Sequence, residues 1–441
     1  MQERLLYGLA PATSVMRESA SVELSVRHQT STPRLRIMAR QSILISGAGI
    51  AGPTLASWLL RQGFEPVLLE RAPRFREGGY IIDFWGIGFD VAERMGLIPR
   101  LREAGYVNDR ISFVGRNGGV RSSFGGAAIR RALGDRFLTI QRGDLAHAIY
   151  GTIEHRVETV FGDSVKAIEQ TPDRVDVGFE HGGWRSFDLV VGADGLHSAV
   201  RAALFENHPS VERDLGYYVA VFVTRGYSRR DEHVYLSYAA PGRQISRFAL
   251  RDDQTGFLFV FARVDGWPDP VHDTASQKRV ILENFGHEPW VEWPEIKRHI
   301  ELCENFYFDT VSQIELPSWS VGRAALVGDA AYCPSLLAGE GSAFAMAGAY
   351  ILAGELQHAY GDHASAFASY ERRFRPFVER KQRAARAFAS SFAPKTSLGL
   401  VVRDVVLRLG AIPAIADLLM RRFVVDRFEL PGYLPGPVGN H

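Results

Sequence analysis

Residues 42–71 read Ser-Ile-Leu-Ile-Ser-Gly-Ala-Gly-Ile-Ala-Gly-Pro-Thr-Leu-Ala-Ser-Trp-Leu-Leu-Arg-Gln-Gly-Phe-Glu-Pro-Val-Leu-Leu-Glu-Arg. Ile43-Leu44-Ile45 predicts a buried strand, the glycines Gly47, Gly49 and Gly52 follow at once, and Pro53 to Gln62 reads as a helix ended by Gly63. A second apolar run from Pro66 closes in Glu70, so the stretch spells a βαβ unit. Gly47 permits the tight turn, Gly49 lets backbone amides approach a pyrophosphate at the helix N-terminus, and Gly52 lets the helix pack on the strand. Glu70 stands where an adenosine ribose needs an acceptor, which suits FAD or NAD and disfavours a 2′-phosphate. No Gly-Lys-Ser/Thr follows, so the loop is not of the Walker type. A second complete fingerprint is missing, which favours one dinucleotide held permanently and a nicotinamide met briefly.

The 441 residues, 46% of them hydrophobic and 23% charged, allow two or more cooperating domains. Lys plus Arg total 51 against 50 acidic residues, so no field exists to hold nucleic acid or an anionic membrane. Cys303 and Cys333 lie far apart with no ligand-like spacing, which argues against a disulfide framework, a zinc site or a redox dithiol, and for a reducing, cytoplasmic setting. Residues 1–37 are rich in Ser, Thr and Arg without an apolar signal core, and are expected to form a disordered extension, with Met38 as an alternative start. Glu3, Glu18 and Glu23 oppose a transit peptide. The uncharged stretch Gly341 to Gly354 is too short for a bilayer span, so no stable membrane insertion is expected.

Further runs occur downstream in a fixed order. Arg76-Glu77-Gly78-Gly79, Asp83 and Gly86 precede Arg142-Gly143-Asp144-Leu145. A strand at 188–191 leads into Gly192-Ala193-Asp194-Gly195-Leu196-His197-Ser198-Ala199-Val200-Arg201, and one at 323–327 into Gly328-Asp329-Ala330-Ala331-Tyr332-Cys333-Pro334, with Gly339-Glu340-Gly341 opening a helix. Together these resemble the FAD-covering, DG and GD segments of the group A, single-component flavin-dependent aromatic monooxygenases of the p-hydroxybenzoate hydroxylase fold. Phe306-Tyr307-Phe308-Asp309, Tyr332 and the run 348–356 resemble, within that family, the tetracycline-inactivating FAD monooxygenases. The resemblance covers roughly residues 40–390. Tyr332, where many members have His, and Glu340-Gly341-Ser342-Ala343, in place of Gln-Gly-x-Asn, depart from the pattern and leave substrate identity open.

The resemblance implies an α/β fold: a Rossmann-type FAD-binding domain with an inserted antiparallel-sheet substrate domain and C-terminal helices. Its expected boundaries are 38–108, 138–205 and 311–392 for the FAD-binding domain, 109–137 and 206–310 for the substrate domain, and 393–441 for a helical tail. It also implies non-covalent FAD contacts at Gly47, Gly49, Gly52, Glu70, Arg71, Asp83, Arg142, Asp194, Gly328, Asp329, Pro334, Gly339 and Gly341, with Arg76 as a candidate NADPH contact. Asp329 can accept from a ribitol hydroxyl, Arg142 can fork onto the pyrophosphate or adjoining ribityl oxygens, and the amides of Gly339 to Gly341 can stabilise negative charge on a reduced flavin. Blander roles compete at several positions: Asp329 as a helix cap, Arg142 in a surface ion pair, Asp194 as a turn residue and Arg76 in a solvated loop. His197, His147 and His155 read as surface or structural.

From about Phe205 to Thr310 alternating apolar runs at 219–223, 234–238 and 256–261 predict an antiparallel sheet. Tyr217, Tyr218, Phe222, Tyr235, Tyr238, Phe248, Phe257 and Phe259 are its candidates for lining a flat pocket, with core filling as the alternative. Trp290 and Trp293 lack the spacing of a halogenase Trp-x-Trp motif. Residues 342–391 read as helical, and 398–425 as one or two amphipathic helices that pack back on the body, with interfacial membrane binding as the alternative. The resemblance implies that such a C-terminal helix bridges the domains and shields the substrate opening.

The implied reaction consumes NADPH or NADH and O₂ and hydroxylates an aromatic or polyketide-like molecule, tetracyclines among the candidates, through a flavin hydroperoxide. No catalytic acid or base is identifiable, no metal is called for, and a monomer or homodimer is expected. A flavin dehydrogenase or reductase of the same fold, or a flavoprotein that sequesters a polyketide-like ligand, would use the same motifs.

Overall fold

The computed structural model describes residues 40–75, 79–126, 133–205, 211–264, 273–303, 306–409 and 428–433. Arg76 and the tail beyond Leu409, apart from 428–433, fall outside them. The architecture is mixed α/β, as the motifs imply.

The first sheet runs Ser320–Val321, Ala324–Leu326, Leu189–Gly192, Ser42–Ser46, Glu65–Glu70, Glu158–Phe161, all parallel except the short Ser320–Val321 strand. Ile43, Leu44, Ile45, Val190 and Val191 are fully buried, the pattern of a parallel sheet covered on both faces. Helix Ala51–Arg61 packs against Gly341–His358, whose near-continuous small and apolar sequence buries it. Ser46, Gly192 and Leu326 stand in register on adjacent strands. The three glycine-bearing motifs therefore leave the sheet side by side at its carboxyl edge, where open α/β sheets bind ligands.

A second sheet has seven strands in the order Phe306–Ile314, Glu212–Arg225, Gln254–Ala262, Arg243–Ala249, Val234–Ala240, Arg110–Val114, Val120–Gly125. All neighbours are antiparallel except Val234–Ala240 with Arg110–Val114. Alternation gives it two different faces. Tyr217, Val219, Val221 and Val260 point toward Leu336 and Leu337 of the segment after Pro334. Tyr218, Phe222, Tyr238, Phe257 and Phe259 point the other way, into a core closed by the helices Thr274–Phe285 and Trp293–Leu302, and this core also takes Trp290 and Trp293. Of the two roles open to the eight aromatics, core filling is the one these five take, because the helices Thr274–Phe285 and Trp293–Leu302 give the outer face something to pack on.

After Gly341–His358 the helix His363–Phe392 runs along the body and Ser397–Leu409 crosses to the second sheet, packing on Val120–Gly125 and Val234–Ala240. Residues 428–433 return to the first sheet's helices: the Tyr433 hydroxyl donates to Glu355 at 2.7 Å, and a Cβ at Gly354 would meet the Tyr433 ring at 2.2 Å. No described helix is long and apolar enough to cross a membrane.

Candidate functional site

The first loop is built by close approach. Gly47 has φ 107°, its N–H donates to the Leu69 carbonyl at 2.6 Å, and a Cβ there would lie 2.4 Å from the Ala193 carbonyl oxygen. A Cβ at Gly52 would lie 1.9 Å from the Gly47 carbonyl oxygen, so the helix can start here on glycine alone. At Gly49 the added atom would meet only Arg142 Nη2, at 3.6 Å, which places that guanidinium over bare backbone. Glu70 braces the loop with both oxygens: Ala48 N–H donates to Oε2 and Ala72 N–H to Oε1, each at 2.9 Å. A carboxylate oxygen has a second lone pair, so each can still accept from a hydroxyl.

The second loop places Asp194 beside the first, since its backbone borders Gly47. Its side chain turns inward instead. It accepts from Ser46 Oγ at 3.3 Å, from Ala199 N–H at 2.9 Å, from Val200 N–H at 3.2 Å and from the Ser198 hydroxyl. Those bonds cap the helix Ala199–Leu204, and burial raises the carboxyl's pKa. Four donors occupy the carboxylate, which is the turn role. Arg201, at the end of the same motif, is buried and donates to Leu196 O at 2.5 Å and to Ala330 O at 3.1 Å, tying the second loop to the third.

In the third loop Gly328, at φ 68°, releases the chain into the short helix Asp329–Tyr332. Burial raises the Asp329 pKa while Arg142 opposes the shift, and the neighbouring Cys333 thiol donates to the Ser312 carbonyl at 3.7 Å. A Cβ on Gly341 would stand 3.4 Å from Asp329 Oδ1, so Asp329 faces the Gly339–Gly341 turn. The Pro334 carbonyl accepts from Gln313 Nε2 at 2.7 Å. Ser335 follows at φ 108°, a conformation costing a non-glycine residue roughly 1–3 kcal/mol, and its Oγ accepts from Leu337 N–H at 3.3 Å before Gly339 turns the chain at φ 70°.

Asp83 and Arg142 come from neighbouring elements. Thr139 Oγ1 donates to Asp83 at 2.7 Å, and burial raises the Asp83 pKa. Arg142 opens the helix Arg142–Tyr150, and its N–H donates to Tyr80 O at 2.9 Å. Arg71 is exposed, directly after the strand Glu65–Glu70.

Three features escaped the sequence reading. His197 Nε2 lies 3.0 Å from Asp309 Oδ2, which links the second loop to the strand Phe306–Ile314 and, through hydrogen bonding and charge, raises the His197 pKa. The Tyr307 hydroxyl donates to the same carboxylate at 3.2 Å. Both motifs were visible, but nothing in either names the other as its partner. Secondly, Tyr332 is buried, accepts from the Tyr370 hydroxyl at 3.1 Å, and is accommodated by Gly348, where a Cβ would sit 1.8 Å from its oxygen. The Tyr-for-His departure is therefore matched by a glycine on the facing helix. Thirdly, the Glu340 carboxylate pairs with Lys381 at 2.5 Å.

The FAD binding domain family matches residues 40–385. A flavin-dependent monooxygenase of an unknown prokaryotic organism is 36% identical over 78% of this chain and 88% of its own. Another, from Legionella longbeachae serogroup 1 (strain NSW150), is 36% identical over 82% of this chain and 92% of its own. Among solved structures, the tetracycline destructase Tet(55) has TM-score 0.76 and 33% identity, covering 89% of this chain and 99% of that one. Tet(51) has TM-score 0.76 and 30% identity, over 90% and 100%. HpxO of Klebsiella pneumoniae, complexed with FAD and uric acid, matches at TM-score 0.70 and 22% identity over 87% and 99%, a likeness of fold alone.

Proposed function

The chain belongs to the FAD-binding flavin-dependent monooxygenases, and from that premise we propose that it uses NADPH or NADH with O₂ to hydroxylate an aromatic or polyketide-like small molecule. The observation that carries this reading is the convergence of three glycine-bearing loops opposite the inner face of a separate seven-stranded sheet. Flavin and substrate would meet between them.

FAD fits these residues. Gly47 and Gly52 let the first loop close against the second loop and its own helix, and Arg142 stands over the bare Gly49 backbone, which no Cβ covers. In this proposal Glu70 holds the adenosine ribose, Arg71 and Arg142 the phosphates, Asp329 the ribityl chain, and the turn at Gly339–Gly341 the flavin ring. Gly328 and Ala330 leave room for the cofactor chain with Pro334 ending the same loop, Asp83 borders the ring, and Asp194 acts through its backbone while its side chain caps a helix. Bound FAD supplies the redox chemistry and the activation of O₂. The protein's share is to exclude water and orient the substrate, for which the apolar inner face of Tyr217, Val219, Val221 and Val260 is suited.

A tetracycline-type substrate is a narrower reading, favoured by the likeness to Tet(51) and Tet(55). The test is NADPH and NADH oxidation by FAD-loaded protein across a panel of phenols, enols and tetracycline. Substrate-stimulated oxidation with loss of the substrate's absorbance is expected. Background rates throughout would contradict the monooxygenase reading, and unchanged tetracycline absorbance the narrower one.

A further inference from the structure

We propose that Arg403, brought by the helix Ser397–Leu409 onto the inner face of the seven-stranded sheet, forms with Ser122, Gln244 and Ser246 the polar end of the substrate site. It would recognise an acidic or strongly hydrogen-bond-accepting group, a carboxylate or ionised enol, remote from the carbon that is oxidised. This rests on the monooxygenase reading of the site it extends.

The register places the groups on one line. Ser122, Phe113, Ser237, Ser246, Leu258, Val221 and Tyr307 are successive cross-strand partners, so their side chains share a face. Gln244 lies in the adjacent row through Val260 and Val219 to Asp309. The face thus begins beside the cofactor loops, where Asp309 meets His197, and stays apolar through Val221 and Leu258. It becomes polar from the third strand spacing onward, with Ser246 and Gln244 at three, Ser237 at four and Ser122 at six spacings from Phe306–Ile314, roughly 14–29 Å. Phe113, Tyr235 and Leu258 on this face are only half-buried, so the rows are not sealed.

The helix above the polar end is oriented against its own hydrophobicity. Leu398, Val401, Val402, Val405, Val406 and Leu409 face out, 47–73% exposed, while the Arg403 and Asp404 side chains are 13% and 16% exposed. A helix that merely packed would bury the valines. Arg403 stacks over the Phe113 ring at 4.3 Å, donates to Gln244 Oε1 at 3.1 Å and pairs with Asp404 at 3.4 Å. Its Nη1 also reaches Phe392 O at 3.4 Å.

The remaining capacity is mainly that of donors. Arg403 Nε and the Ser122 hydroxyl are buried without a partner. Gln244 Nε2 donates to Ser246 Oγ at 3.2 Å, and Ser246 and Ser237 share one bond at 2.8 Å, while Gln244's oxygen is taken by Arg403. An unpaired buried guanidinium N–H calls for an acceptor, and an anionic one matches it best.

The test uses FAD-loaded protein titrated with caffeate and with its methyl ester, followed by perturbation of the flavin absorption band. The wild type is expected to bind the acid about tenfold or more tighter than the ester, and Arg403→Met to bring the two within about twofold while ester affinity holds. Arg403→Lys should keep part of the preference. Ser122→Ala, which removes a hydroxyl without a partner and so should fold, is expected to weaken acid binding about threefold. It carries the test if Arg403→Met fails to retain FAD. Equal affinities in the wild type, binding of neither compound, or a preference unchanged in the variants would overturn the proposal. The readout is binding, so an Arg403-dependent preference without NAD(P)H consumption would uphold this site while removing the monooxygenase reading.

Discussion

The three loops at the edge of the parallel sheet and the seven-stranded sheet opposite them are specified in opposite ways. In the loops, backbone meets backbone: an added Cβ at Gly47 or Gly52 would fall within 2.4 Å of a carbonyl oxygen. In the second sheet both faces are largely apolar, and a side chain's role depends on which face it occupies. Neighbours such as Leu258 and Phe259 therefore differ in role though not in kind. On the proposed reading, cofactor binding is held in backbone geometry, and substrate choice in the side chains of one face.

The sharpest break of this contrast is Gly52→Val. It should abolish FAD retention, lowering affinity by about 100-fold or more, because the helix start cannot move away from Gly47. Flavin absorbance per protein after gel filtration measures it, and a normal flavin content would show that the loop is not set by close approach. Next comes the pair across the sheet. Phe259→Ala should cost about 3–5 kcal/mol in denaturant unfolding yet leave the folded fraction's FAD content intact, while Leu258→Ala should cost less than about 2 kcal/mol and shift substrate preference instead. Equal costs would erase the distinction between the faces.

Arg201→Met sharpens the loop side. Losing two buried bonds from a charged donor should cost about 2–3 kcal/mol and weaken FAD binding, read by thermal unfolding with and without added FAD. The smallest effect concerns the link between the regions, His197 with Asp309. Asp309 raises the His197 pKa, so the pair's stabilisation is complete below about pH 6.5 and is lost as pH rises through the raised value. His197 is half-exposed although Asp309 is nearly buried, so the pair is worth about 1 kcal/mol. The melting-temperature gap between wild type and His197→Gln should be widest near pH 6 and close by about pH 9. A constant gap would contradict the assignment.

These differences decide what could be read from the chain. Gly47 and Gly52 were legible as close-approach positions because a tight turn between strand and helix admits few residue types, whereas the bracing of the loop by Glu70 depends on Ala48 and Ala72 amides that no motif names. Asp194 was half-legible: the motif marked the turn, but only the positions of Ser46 and Ser198 show that its carboxylate is consumed as a cap. Tyr218, Phe222, Tyr238, Phe257 and Phe259 could not be sorted, since alternation separates two faces without saying which meets the cofactor loops. The outer helices Thr274–Phe285 and Trp293–Leu302 make that assignment. The bond between His197 and Asp309, and the placing of Arg403 over Phe113, are long-range events with no local signature.

The central claim is that the two regions together pass one oxygen atom from O₂ to a small molecule. Its most direct test is turnover of FAD-loaded protein with NADPH under oxygen-18 gas, using the phenol, enol or tetracycline that best stimulates oxidation, with the product analysed by mass spectrometry. The account predicts a product carrying a single oxygen-18 atom. A product without the label, or oxidised only by loss of hydrogen, would contradict it.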